Sequence, residues 1–184
     1  MDKSMLRKAL WEILRPLIQL MQNLLNPEKG EEWEREFKKF LRKEECWKRH
    51  LINCDVRPYI PNRWTVEVHK KGGVIEWDPK NISFYLSEAQ KIGRIVGTDL
   101  HKELADMPVL NACFLDFLHT NPHLIPEEWK GKAIFFWGTI YCRSSGDLCV
   151  RYLYWNGDSW NWSNHWLNGG WHTGHPAAYL QVEN

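Results

Sequence analysis

From Lys3 to Leu25 apolar residues recur at Leu6, Leu10, Ile13, Leu14, Leu17, Ile18, Met21, Leu24 and Leu25. Steps of three and four lay them along one stripe of a 3.6-residue helix. The spacing therefore predicts an amphipathic helix, with Pro16 as a kink point and Asn26-Pro27 as its end. Glu31 to Lys48 repeats the pattern with Trp33, Phe37, Phe40 and Leu41 on a face. Its acids (Glu31, Glu32, Glu34, Glu36) come first and its bases (Lys38, Lys39, Arg42, Lys43) later, which complements a helix dipole and reads most simply as a solvated face. The two segments predict a helical hairpin over residues 1–54, whose apolar stripe also offers a dimer interface.

The period then changes. Trp64 to His69 and Val74 to Trp77 flank Lys-Lys-Gly-Gly, which predicts a short β-hairpin. Short helices are expected over Asn81 to Lys91, over Asp99 to Ala105 with Thr98 as N-cap, and over Val109 to Thr120 after Pro108. Pro126-Glu-Glu-Trp129 reads as one turn opened by proline. Three strand-like runs follow, Ala133 to Cys142, Leu148 to Trp155 and Ser159 to Trp166, and Asn156-Gly157 between the last two is a strong hairpin signal. The fold class expected is α+β: an N-terminal helical hairpin, a short mixed middle section, and a C-terminal three-stranded antiparallel meander packed on helices. Residues 55–184 form the second domain.

Composition narrows the class of protein. With 184 residues, 43% hydrophobic and 26% charged, the chain can bury a real core, and a formal charge of +1 leaves no strongly basic arm or polyacidic tail. No stretch approaches the roughly 18 apolar residues of a spanning helix, and Glu12 and Arg15 interrupt any secretory apolar segment, so a soluble cytoplasmic protein without a membrane partner is expected. The cysteines Cys46, Cys54, Cys113, Cys142 and Cys149 are odd in number and contain no C-x-x-C pair, which fits reduced thiols. Cys142 and Cys149 flank a turn and read as cross-strand neighbours within disulfide reach, although a reducing compartment favours two thiols.

Tryptophan changes the picture most. There are twelve, and seven of them fall between Trp129 and Trp171, a stretch whose only charges are Lys130, Lys132, Arg143, Asp147, Arg151 and Asp158. Pairing Cys142 with Cys149 sets Phe136 opposite Trp155 and Trp137 opposite Tyr154. A two-residue Asn156-Gly157 turn sets Leu153 opposite Trp160 and Arg151 opposite Trp162. Phe136, Trp155, Trp160 and Trp162 then share one face, and Trp137, Tyr152 and Tyr154 the other. Any single ring reads most simply as core, yet one small domain seldom buries both faces of such a sheet. The expectation is an exposed binding face carrying Arg151, Trp155, Trp160, Trp162 and Trp166, and a non-enzymatic role in recognising a protein or small ligand. Single-stranded nucleic acid is an alternative partner, disfavoured by the small net charge.

Candidate chemistry is sparse. His165, His172 and His175 form an H-x6-H-x2-H group near Gly169, Gly170 and Gly174, which offers three imidazoles to zinc or another divalent metal. That grouping carries the alternative of a metal-dependent hydrolase; the simpler reading is solvated or stacked histidines with no cofactor. Cys46 and Cys54 near His50 lack a third orienting group and read as buried thiols. Asp99 with Glu103, and Glu127 with Glu128, read as capping or solvated acids. Gly72-Gly73 and Gly93…Gly97 do not make a nucleotide-binding loop.

Pro108-Val-Leu-Asn-Ala112, Leu124-Ile-Pro-Glu-Glu-Trp-Lys-Gly-Lys132, Phe135-Phe-Trp-Gly-Thr-Ile-Tyr141 and Val150-Arg-Tyr-Leu-Tyr-Trp155 are specific strings. Through them the chain, from about Asp55 to Ala178, resembles a group of small tryptophan-rich proteins of candidate-phylum bacteria. Cys113, Cys142 and Cys149 depart from that group's pattern, which weakens any shared role for thiols. The resemblance implies no particular activity, substrate or site residue.

Overall fold

The structure, a computed structural model, describes residues 3–42 and 49–181. It divides into two units, the first ending at Arg49 and the second starting at His50. In the first, α1 (Lys3–Leu24) and α2 (Gly30–Leu41) contact each other. Asn26 turns the chain between them, its side-chain oxygen accepting from the Glu28 and Lys29 N–H groups at 2.8 and 2.9 Å. On α2 the staggered charges meet as Glu34 with Lys38 and Glu36 with Lys39. Trp11, Leu14, Leu17, Ile18, Met21 and Leu25 are exposed on this unit. The expected second helix reached Lys48, but α2 ends at Leu41, and Cys46 and Trp47 lie outside the described residues.

The second unit is α+β. Its strands are β1 (Leu51–Asn53), β2 (Thr65–His69), β3 (Val74–Glu76), β4 (Ile82–Tyr85), β5 (Ile95–Val96), β6 (Ile134–Phe135), β7 (Thr139–Cys142), β8 (Leu148–Trp155), β9 (Trp160–Trp166), β10 (Gly170–Trp171) and β11 (Ala177–Leu180). Its helices are α3 (Glu88–Ile92), α4 (Gly97–Glu103) and α5 (Ala112–Thr120). A seven-stranded sheet runs β2-β7-β8-β6-β11-β4, with β9 paired to the other side of β8. All its pairings are antiparallel except β11 with β6. Two ribbons, β1-β3 and β10-β5, stand apart from it. Among the described residues, no helix is long and apolar enough to cross a membrane.

Several local expectations are corrected. β2 and β3 do not form a hairpin: β2 pairs with β7 while β3 pairs with β1, so Lys70 to Gly73 links two different sheets. The helix expected from Asn81 to Lys91 is instead β4 followed by α3. Ile82-Ser-Phe-Tyr85 suits a pleated surface and finds β11 as partner, and the Ser87/Gln90 capping box starts the helix only at Glu88. α4 starts at Gly97 without a side-chain cap, so Thr98 lies inside it. α5 starts at Ala112, where the Asn111 side chain caps Cys113 N–H.

The meander also differs in register. Tyr141, not Cys142, faces Cys149, because the Arg143 N–H bonds the Asp147 carbonyl and closes a shorter turn. A shift of one residue exchanges faces, so Cys142 and Cys149 are not cross-strand neighbours, and both are free thiols. The run Ala133 to Cys142 is not one strand. It breaks at Phe136 to Gly138, where Gly138 passes so close to Asn111 that a Cβ would lie 2.9 Å from its backbone. Trp155 faces Trp160 and Leu153 faces Trp162, so the turn holds four residues, Asn156 to Ser159, rather than two. The Asn156 side chain accepts from the Asp158 and Ser159 N–H groups, and Gly157 supplies φ 109°.

Both faces of this sheet are covered. On one, Phe114, Leu115 and Leu118 of α5 meet Phe136, Leu153 and Trp160; on the other, Leu100 and Leu104 of α4 meet Phe135, Trp137, Val150 and Trp171. Trp137 and Trp171 are 1% and 0% exposed. Each such indole removes on the order of 200 Å² from water, roughly 5 kcal/mol of gross burial. Most of the aromatic excess is therefore core, which explains why two aromatic faces fit in one small unit.

Candidate functional site

Strand alternation sets the Arg151 side of β8 and the Trp160, Trp162 and Trp166 side of β9 facing the same way. Arg151 and Trp160 are buried, at 1% and 7% exposure, whereas Trp155, Trp162 and Trp166 are half-buried. The structure thus splits the expected contact set: two members belong to the interior and three reach the surface.

Arg151 is an internal strut. Its Nη1 donates to Asp116 Oδ1 at 2.9 Å, to the Tyr59 carbonyl at 3.3 Å and to the Tyr141 hydroxyl at 3.3 Å. Its guanidinium lies 4.2 Å from the Trp162 ring, 5.3 Å from Tyr59 and 5.7 Å from Tyr141. Asp116 also accepts from the Tyr59 N–H at 2.7 Å, so one carboxylate ties α5, β8 and the segment before β2 together. Burial pushes the Tyr141 phenol up to about 12 even though Arg151 pulls it down.

The three half-buried indoles each carry a neighbour from another part of the chain. Lys130 Nζ sits 4.0 Å above Trp155 while bonding Glu127. The Arg143 guanidinium lies 4.6 Å from Trp166 and 5.4 Å from Trp64. The exposed Tyr59 ring meets Trp162 edge-on at 5.9 Å. Cations this close to indole faces gain from the ring quadrupole and fix the rings' orientation. The result is a strip of aromatic surface on β8 and β9 edged by Lys130 and Arg143. Nothing in the local sequence marks these partners, because Lys130 and Arg143 reach their rings only through the fold.

His165, His172 and His175 do come together. The His165 and His175 ring centroids are 5.0 Å apart and those of His172 and His175 3.9 Å apart. Two of their ring nitrogens are engaged by backbone: His172 Nδ1 accepts the Gly174 N–H at 3.1 Å, and His165 Nε2 faces the Gly170 carbonyl at 3.3 Å, to which it donates. Among the described residues, no three His, Cys, Asp or Glu side chains are grouped to hold a metal ion. Burial, then the neighbouring His172, His165 and Arg94, push His175 down to about 4.

A second polar cluster surrounds His69 at the start of α5. Its Nε2 lies 3.0 Å from the Cys54 carbonyl and 3.9 Å from Cys113 Sγ, and its Nδ1 lies 2.8 Å from Thr139 Oγ1. A carbonyl only accepts, so the neutral ring carries its proton on Nε2 and accepts at Nδ1 from Thr139, whose oxygen in turn accepts the Ala112 N–H. The nitrogen beside Cys113 is therefore a donor and not a base. Burial pushes the Cys113 thiol up to about 12 and the Cys54 thiol up to about 11. Asn111 completes the cluster, donating to the Cys54 and Lys70 carbonyls at 2.8 Å each. The cluster joins β2, β7, α5 and the segment after β1; it is a structural hub beside a shallow cleft lined by Val56, Arg57, Pro58, Ile60 and His69. Of the remaining candidate acids, Asp99 pairs with Lys102, Glu127 with Lys130, and Glu103 accepts from the Tyr85 hydroxyl.

No known protein family matches the chain, and neither does any curated protein or solved structure.

Proposed function

We propose that the protein is a non-enzymatic binding module whose contact surface is the strip formed by Trp155, Trp162, Trp166 and Tyr59. The observation that carries this reading is the exposure pattern on β8 and β9: Trp160 and Arg151 of the same face are buried, while these indoles stay half-exposed. Rings fixed by neighbouring cations present apolar area at little entropic cost, the property that makes aromatic residues effective interface anchors. The fitting partner is a protein segment that brings apolar side chains to the indoles and an acidic group to Arg143. The absence of a primed base beside Cys113, with that thiol held in its protonated form by burial, supports recognition over nucleophilic chemistry at this cluster.

The test is peptide display against the purified full chain, followed by affinity measurement on Trp162→Ala and Trp166→Ala. Selected peptides are expected to lose about tenfold or more in affinity with either variant while unfolding midpoints stay within about 1 kcal/mol of the parent. Peptides that bind both variants as tightly as the parent would contradict the assignment. Binding of single-stranded DNA with a steep salt dependence, in place of peptide, would transfer the surface to the nucleic-acid class.

A further inference from the structure

The turn from Trp171 to Pro176 gathers positive or ionisable nitrogen groups, and among the described residues no carboxylate is bonded to them. His172 and His175 lie nearly face to face at 3.9 Å with a 36° tilt, His165 of β9 lies 5.0 Å from His175, and Arg94, just before β5, acts on the same ring. The aliphatic part of the Arg94 side chain runs 3.2 Å from where a Gly170 Cβ would stand. His175 Nδ1 is buried with no hydrogen-bond partner. Among the described residues, the acids on the elements packed against this turn are engaged elsewhere. Helix α3 offers the neutral Gln90, and its Glu88 bonds Lys91 instead; Asp99 of α4 bonds Lys102. Lys132, on the segment whose Ala133 N–H bonds the Gly174 carbonyl, is directed to the Glu128 carbonyl and the Phe84 ring.

The turn is held shut by bonds that require neutral rings or a fixed backbone. Gln90 Nε2 donates to the His172 and His175 carbonyls at 3.1 and 3.0 Å, and the His175 N–H bonds the His172 carbonyl. The Gly174 N–H is accepted by His172 Nδ1, so the neutral His172 ring carries its proton on Nε2. A second proton on His172 has to enter at Nδ1, where it meets the Gly174 N–H donor head-on. A second proton on His175 has one destination without an acceptor, or repels the ring 3.9 Å away. Beneath the turn lie Phe135 and the fully buried Trp171, whose strand β10 pairs with β5 by only two residues.

From this geometry we infer that the His165–His172–His175 cluster, clamped by Gln90 and crowded by Arg94, is an acid-sensitive latch: protonation opens the 170–176 turn and uncovers Trp171 and Phe135. The titrating rings lie off the binding strip, since His165 projects to the opposite side of β9 from Trp162 and Trp166.

Hydrogen exchange of the full chain, corrected for intrinsic rates, tests it. Protection of amides in 170–176 is expected to fall about tenfold or more between about pH 7.5 and about pH 5, while β8 amides stay within about twofold. His172→Asn keeps an acceptor for the Gly174 N–H but cannot titrate, and is expected to lose most of that pH dependence. An unchanged protection factor in the parent chain, or a full fall retained in His172→Asn, would overturn the inference. A proton NMR titration of the parent's histidine Cε1–H signals gives a reading that needs no variant. A two-step curve for His175, which senses its neighbours' charge as well as its own proton, is expected, and a simple one-step curve would contradict the latch.

Discussion

Replacing Asp116 by Asn while leaving Arg151 in place tests whether Arg151 is an internal strut. The Arg151 side chain is 1% exposed and Asp116 26%, with Nη1 and Oδ1 at 2.9 Å. Removing one partner of a buried pair costs about 3–5 kcal/mol, because the remaining charge stays desolvated. Asp116 reaches solvent, so partial screening places the expected loss at the low end, about 3 kcal/mol, or roughly 10 °C in melting temperature for a unit of this size. Arg151→Met is expected to behave differently. It fills the space between Trp162 and Tyr141 with an apolar chain and leaves a carboxylate that still accepts from the Tyr59 N–H, so its cost is about 1 kcal/mol or less. Urea denaturation of both variants followed by far-ultraviolet circular dichroism reads the difference. A loss under about 1 kcal/mol for Asp116→Asn, or a larger loss for Arg151→Met than for Asp116→Asn, would refute the strut.

Three further outcomes follow from the same structure. Lys70 Nζ donates to the Leu104, Ala105 and Met107 carbonyls and so caps the C-terminal end of α4; Lys70→Met is expected to cost about 1–2 kcal/mol in urea unfolding. Thiol labelling of the native chain near pH 7.5 is expected to modify Cys142 first among the described cysteines. Cys54, Cys113 and Cys149 are buried and pushed up to about 11, 12 and 12, so they should react only on unfolding. His175 is held at about 4 in the fold against 6.5 unfolded, so the unfolded chain takes up the proton first. Its contribution is whole above about pH 6.5 and is lost as the pH falls toward 4. The full displacement corresponds to about 3 kcal/mol, and solvent screening of this half-exposed ring reduces the expected loss to about 1–2 kcal/mol, measurable as a fall in urea midpoint that His175→Gln removes.

What could be read from the chain was what local period encodes. The segment Lys3–Leu24 is helical as a 3.6-residue period requires, a property local to the chain, and Asn156-Gly157 marks a real turn. Failure began where the outcome depended on distant partners. Ile82 to Tyr85 is a strand because β11, almost one hundred residues later, supplies its ladder. The turn after Trp155 gained two residues because the Asn156 side chain bonds Asp158 and Ser159, and a two-residue slip keeps side chains on their faces, so Trp155, Trp160 and Trp162 still share one. Burial was beyond reach. Arg151 is internal only because Asp116 and Tyr59 converge on it, and His69 finds Thr139 and Cys113 across long separations. The tryptophan concentration was visible at once, but which rings stay at the surface depends on α4 and α5 covering the two faces of the sheet.

The central claim is that the half-exposed indoles, and not the buried ones, meet a partner. Side-chain indole N–H resonances measure this directly, since each tryptophan reports separately. On titration with a peptide selected against the full chain, the signals of Trp155, Trp162 and Trp166 are expected to move together and saturate, while those of Trp137 and Trp171, buried in the core, stay in place. Saturable shifts confined to other tryptophans, with Trp162 and Trp166 unmoved, would contradict the account.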